Sequence, residues 1–213
     1  LDRVLDEEDE LSELIEGRIV NIFYLFSQAE NYVKEVVADR VVLKRMWISV
    51  AEMCSTKHYL GVLKDLQRMT PTHQVTMLKF IKNLSMLSTT LDSLHAANAI
   101  ELLIDLLSSS MKKAAAHFRE ISNQVLNIMY NLCRLSKDRQ EDAAVNGIIP
   151  LLQKIMKTKR PPKEFALPIL CDMAHSGKVV RKYLWQNKGL QFYVSLLEDQ
   201  YWQVTALDAI FIW

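Results

Sequence analysis

Two consecutive segments of the chain, Asn123–Phe165 and Ala166–Ala206, are variations on one pattern. The first reads NQVLNIMYNLCRLSKDRQEDAAVNGIIPLLQKIMKTKRPPKEF, the second ALPILCDMAHSGKVVRKYLWQNKGLQFYVSLLEDQYWQVTA. Laid under one another, Leu126, Met129 and Leu132 fall near Leu167, Leu170 and Met173, and Ala143–Val145 near Tyr183–Trp185. Asn146-Gly147-Ile148 falls on Lys188-Gly189-Leu190, and Pro150-Leu151-Leu152 on Phe192-Tyr193-Val194. Gly147 and Gly189 are then 42 residues apart, Asn131 and Asp172 41. A helical unit recurring at that interval cannot bury its own apolar face, so it must stack on its neighbours.

A period of roughly 40–47 residues with helical patterning is that of armadillo and HEAT solenoids. Apolar positions predict helices over 19–28, 32–38 and 41–53, an additional one over 57–69, and then 75–87, 91–97 and 100–107. Thr70-Pro71-Thr72 reads as the start of a helix, since proline suits the first helical position. Ser108–Lys113 reads as a loop. Helices over 117–136, 139–145, 148–156, 164–175, 179–186 and 190–197, with a last one from about Tyr201, complete the chain. Each unit has a short, a middle and a longer third helix, which favours the three-helix armadillo form. The expected fold is all-α: a right-handed superhelical armadillo solenoid of roughly four repeats, the last truncated. Residues 1–16 would be an acidic linker or a short lead-in helix set off by Gly17. The repeats would run about 17–74, 75–122, 123–164 and 165–205, with a partial one at 206–213.

Composition agrees with this reading and excludes others. Five Gly and five Pro are few for a loop-rich all-β chain of 213 residues. Cys54, Cys133 and Cys171 lie in apolar contexts without CxxC spacing, as buried thiols do, so neither a disulfide framework nor a metal site is expected. No apolar run approaches the ~18 residues of a membrane span. A soluble, intracellular chain is the expectation. A start at Leu1 and an end at Trp213 inside a helical pattern suggest a piece of a longer protein.

Chemistry is hard to find. None of the glycines forms a GxG, so phosphate-cradling loops are missing, and GxSxG, HExxH and HRD stretches are missing too. The five histidines are scattered; His175 closes a helix, where it suits the negative end of the dipole. Neither catalysis nor a cofactor is expected.

The third helices carry polar residues at matching phases: Asn83 in FIKNLSML, Asn131 in IMYNLCRL and Asp172 in ILCDMAHS. Importin-alpha adaptors, which these positions resemble, use an asparagine ladder there to clamp an extended peptide, the amide offering donor and acceptor. Lys79, Asn127 and Pro168 replace the tryptophans those adaptors carry four residues earlier, which argues against nuclear-signal binding. The alternative is that the asparagines only tie the third helix to its neighbour. Charge is uneven as well. Residues 1–16 hold eight acids against Arg3, whereas Pro150–Leu190 holds nine Lys or Arg against Glu164 and Asp172. Lys154, Lys157, Lys159, Arg160 and Lys163 surround one turn, and Lys178, Arg181 and Lys182 lie at the next equivalent level. An acidic protein surface complements such a set. Nucleic acid ranks lower, because nearby Tyr183, Trp185, Tyr193, Tyr201 and Trp202 mostly fall at core phases of their helices.

Over residues 165–210 the sequence becomes specific. Leu167-Pro168-Ile169-Leu170-Cys171-Asp172-Met173-Ala174-His175, Gly189-Leu190, Leu196-Leu197, and Tyr201-Trp202 through Ala206-Leu207-Asp208 resemble the armadillo region of the fungal septation-initiation and mitotic-exit protein kinases. They also resemble the plant MAP-triple-kinase epsilon proteins. The resemblance implies a non-catalytic, C-terminal regulatory segment of a large serine/threonine kinase, whose catalytic domain lies elsewhere. It implies cytoplasmic work at the spindle pole body or division site, with a Ras-like small GTPase or a spindle-pole scaffold as partner. Self-association into a homodimer, or autoinhibitory packing on the kinase domain, is the competing reading.

Overall fold

The computed structural model describes residues 10–31, 34–35, 66–112, 117–158 and 161–213. The helices expected over 32–38, 41–53 and 57–69 fall largely outside these residues; of the last, only the turn at 66–69 is described. The described chain is helical, with no strand among those residues. It divides into two compact units, Leu1–Ile128 and Met129–Trp213.

In the first unit, α1 (Glu10–Ser27) packs along α2 (Pro71–Ser85). Three contacts show that the pair runs parallel. Glu16 pairs with His73 Nδ1, Phe23 meets Phe80 with ring centroids 5.5 Å apart, and Ser27 accepts a hydrogen bond from Asn83 at 3.0 Å. The helix α1 continues through Gly17, which does not set off the acidic opening. A methyl group at Gly17 would lie 2.9 Å from His73 Nε2, so the missing side chain is what admits the imidazole. Pro71 does open α2, behind Thr70. Next come α3 (Leu91–Ala96), α4 (Ala99–Lys112) and α5 (Phe118–Cys133). The stretch 108–112, expected as loop, belongs to α4. Ser109 and Ser110 return their hydroxyls to the Leu106 carbonyl at 2.9 and 2.7 Å, which lets serine sit inside a helix.

The second unit contains the end of α5 followed by α6 (Lys137–Val145), α7 (Ile148–Met156), α8 (Lys163–Ala174), α9 (Lys178–Gln186), α10 (Gly189–Ser195), a 3-10 turn at Leu196–Glu198 and α11 (Gln203–Phe211). Side chains of α6 close the end of α5. Gln140 Nε2 donates to the Cys133 carbonyl at 3.1 Å and Arg139 Nη1 to the Leu132 carbonyl at 3.3 Å, satisfying acceptors that a helix end leaves open.

The repeat is visible in this unit, one residue from the register set by aligning glycines. Residues 133 and 174 end α5 and α8, 137 and 178 begin α6 and α9, and 148 and 189 begin α7 and α10. Each pair is 41 apart, not 42. The residue before α7, Gly147, has φ 85°, and the residue before α10 is the left-handed Lys188 at φ 57°. Asn98, at φ 63°, has the same place before α4. Thus Gly147 corresponds to Lys188. Gly189 is small for another reason, because a Cβ there would stand 3.0 Å from the Leu184 carbonyl oxygen and 3.2 Å from Trp213. Equivalent helices pack on one another: α6 against α9, and α8 against α11.

Fully buried Leu152 and Tyr193 occupy the same register position. Tyr193 fills more volume and carries a hydroxyl, which donates to the Leu170 carbonyl at 2.5 Å. Replacing Tyr193 by Phe should cost about 1 kcal/mol, the net worth of one buried hydrogen bond. Leu152→Ala should cost about 2–5 kcal/mol through the cavity it leaves. Urea unfolding followed by circular dichroism measures both; equal losses would contradict this division between hydrogen bonding and packing.

Candidate functional site

Two groups of side chains are expected to carry function. The first is the set of polar residues on the third helices. Asn83, Asn131 and Asp172 each stand third from the end of their helix, in α2, α5 and α8. Lys79, Asn127 and Pro168 are one turn earlier on the same faces, all half-buried.

The members differ in what they do. The Asn83 amide donates to Ser27 Oγ, and that buried hydroxyl in turn donates to the Tyr24 carbonyl at 2.6 Å. Asn83 therefore fastens α2 to α1. Asn131 is half-buried, whereas Asp172 is exposed.

Around Asp172 the second unit assembles Tyr130, Arg134 and Phe165, which the sequence alone does not single out, with His175 and Asp208. The guanidinium of Arg134 lies 5.9 Å from the centroid of the Tyr130 ring, and that ring meets Phe165 at 6.3 Å. His175, which caps α8, sets Nε2 2.9 Å from Asp208 Oδ2 on α11. Tyr130 and Arg134 are four residues apart at the end of α5, the helical spacing that could have revealed the pair. Partial burial raises the Asp172 carboxyl above its ordinary 3.8, against the pull of His175 and Arg134. The strip offers amide, carboxylate, imidazole, guanidinium and aromatic groups along α5, α8 and α11. Such a set can hold the backbone and side chains of an extended segment by hydrogen bonding and stacking.

The second group is basic. Lys154 and Lys157 are exposed at the end of α7. Lys159 and Arg160 lie outside the described residues. Lys163 is engaged with Asp199 at 2.5 Å, and this bond holds the Asp199 carboxyl below its ordinary range. Lys178, Arg181 and Lys182 are exposed on α9 at positions i, i+3 and i+4. Trp185, one of five aromatics expected mostly at core phases, is 69% exposed one turn further along that stripe. Tyr201, at 81%, is likewise outside the core, while Tyr193 is inside it.

Nucleophilic and metal chemistry find no support in the thiols. Burial pushes Cys133 and Cys171 up to about 12, far from a reactive thiolate at neutral pH. Cys54 lies outside the described residues. Among the described residues no group of three His, Cys, Asp or Glu side chains is placed to hold a metal ion, and no helix is long and apolar enough to cross a membrane.

The chain aligns over its whole length with proteins of cell division. It is 68% identical over 213 residues to cytokinesis protein sepH of Emericella nidulans. It is 36% identical over 211 residues to cell division control protein 7 of Schizosaccharomyces pombe. To MAP3K epsilon protein kinase 1 of Brassica napus it is 35% identical over 193 residues, 91% of the chain. The chain spans only 14%, 18% and 13% of the length of these three relatives. No protein-family model matches it. In fold it resembles a crystallographically solved engineered protein, with a TM-score of 0.66 over 97% of the chain, 76% of that protein and 13% identity. The class so defined is an all-helical segment similar to a small part of much longer proteins. The particular relatives are a fungal cytokinesis protein, a fungal cell division control protein and a plant MAP3K epsilon protein kinase.

The raised Asp172 carboxyl has a sign that can be tested. Its folded-state value exceeds the unfolded one, so the charged form opposes folding above the folded value and the effect fades below pH 3.8. Asp172→Asn should therefore stabilise the chain at pH 7 by about 0.5 kcal/mol or less, solvent screening limiting the gain. Paired urea titrations at pH 7 and pH 3 check this; a gain that persists at pH 3 would remove the electrostatic explanation.

Proposed function

We propose that the chain is an armadillo-type, right-handed solenoid segment serving as the non-catalytic docking region of a serine/threonine kinase of septation and mitotic exit. The observation that carries this reading is alignment across all 213 residues with cytokinesis protein sepH at 68% identity. The match to a MAP3K epsilon kinase over 91% of the chain supports the kinase context. The third-helix register shared by Asn83, Asn131 and Asp172 supports the solenoid. In this reading the chain supplies surface, not chemistry. The partner is a Ras-like small GTPase or a spindle-pole scaffold with an acidic face, met by Lys154 and Lys157 on α7 and by Lys178, Arg181 and Lys182 on α9. Charged rims of this kind govern encounter rate and partner choice more than final affinity. The protein would act in the cytoplasm, at the spindle pole body and division site.

The test is binding of the chain to the spindle-pole Ras-like GTPase loaded with a GTP analogue or with GDP. A preference of about tenfold or more for the GTP form is expected. The triple variant Lys178→Glu, Arg181→Glu, Lys182→Glu should lower the association rate by about tenfold at low salt, with the difference shrinking as ionic strength rises. Equal binding of the two nucleotide states would refute the effector reading, and an unchanged rate in the triple variant would refute the role of α9.

A further inference from the structure

The second unit ends in an apolar surface. On α9, Trp185 is 69% exposed; on α10, Val194 is 50% exposed; on α11, Leu207 and Phe211 are 54% and 86% exposed. Leu207 and Phe211 are four residues apart and share one face of α11. Isolated exposed apolar residues are ordinary, but a set of them on three helices that pack together calls for a partner.

The 41-residue register identifies that partner. Subtracting 41 from each exposed position gives its equivalent in the preceding triplet, and those equivalents are covered. Trp185 corresponds to Ala144, 1% exposed, on α6, against which α9 packs. Leu207 and Phe211 correspond to Ala166 and Leu170, both 0% exposed, on α8, against which α11 packs. Val194 corresponds to Gln153, whose amide donates to the Asn187 carbonyl at the α9–α10 corner, 2.9 Å away. Positions that the triplet α9–α11 covers on its predecessor are thus the positions that stand bare on the triplet itself.

We propose that this face seats a further helical triplet, supplied in cis by the longer protein and stacked in the same register. Its short helix would lie on α9 and its long third helix on α11. Chain to provide it exists in the relatives, where the aligned segment makes up 14% of sepH and 18% of cell division control protein 7. The in-cis triplet follows from the local register of the second unit and rests on the solenoid reading, whichever partner binds elsewhere on the chain.

The experiment compares maleimide labelling of Leu207→Cys and Phe211→Cys in the 213-residue chain and in the full-length protein. Glu141→Cys, exposed on α6, is the reference. Both test cysteines should label at least about tenfold more slowly, relative to Glu141→Cys, in the full-length protein. Equal relative rates in the two lengths would overturn the proposal. Sedimentation of the 213-residue chain provides the second reading: a dimer abolished by Phe211→Asp would assign the face to another copy and also overturn the in-cis occupant. A monomer with slow labelling in the full-length protein would uphold it.

Discussion

The left-handed corner before each middle helix is the constraint on which the second unit depends. At Gly147 and again at Lys188 one residue with positive φ ends a short helix and reverses the chain into the next. That single residue sets the angle at which the middle helix leaves, and hence where its buried stripe lies. Since α6–α7 and α9–α10 turn on the same geometry 41 residues apart, Leu152 and Tyr193 reach the same depth. A left-handed conformation costs an ordinary residue about 1–2 kcal/mol, which glycine avoids. The exposed Lys188 bears that cost without a glycine's help, so the packing around α10 must outweigh it.

The corner imposes a division of labour on the helices. Short helices such as α6 and α9 pack on one another, and α6 also closes the third helix that precedes it. In the last turn of the third helices a side chain can be fixed by the core and still meet solvent, and polar residues stand there. Asn83 shows that the position can be used internally, its amide being committed to Ser27. Asp172 shows the opposite use: it is exposed and electrostatically coupled to His175 and Arg134, and His175 links it to Asp208 on α11. One register position thus serves cohesion in the first unit and stays exposed in the second.

Much of this is legible in the sequence, and the failures have physical causes. The helix at Ile148–Met156 is readable to the residue, since its apolar stripe is dense and a glycine precedes it. Asn83, Asn131 and Asp172 are readable at matching phases of the sequence, and each stands third from the end of its helix. The register slips by one when glycine serves as the marker of the left-handed residue, whereas Lys188 holds that conformation and Gly189 is small to admit Leu184 and Trp213. Gly17 looks like a break in the sequence; it is a point of close approach to His73. Serines 108–110 suggest a loop because serine competes with the helix backbone, but at Ser109 and Ser110 the hydroxyls bond within the helix. Contacts between residues distant in sequence, such as Lys163 with Asp199, leave no local pattern to read.

Trp185 shows why a core phase in the sequence need not mean a covered side chain in the structure. The 41-residue register puts it at a core position, because its counterpart Ala144 is buried. The structure nevertheless exposes Trp185 by 69%. Both observations are satisfied if core phase means the position covered by the succeeding triplet, not by the helix's own neighbours. A stacked helical array gives each unit two apolar faces, one closed by what precedes it and one by what comes after it. Hydrophobic periodicity records both without telling them apart. On α9 and α11, Trp185, Leu207 and Phe211 are exposed, while Val180, Leu184, Ala206 and Ala209 of the same helices are closed.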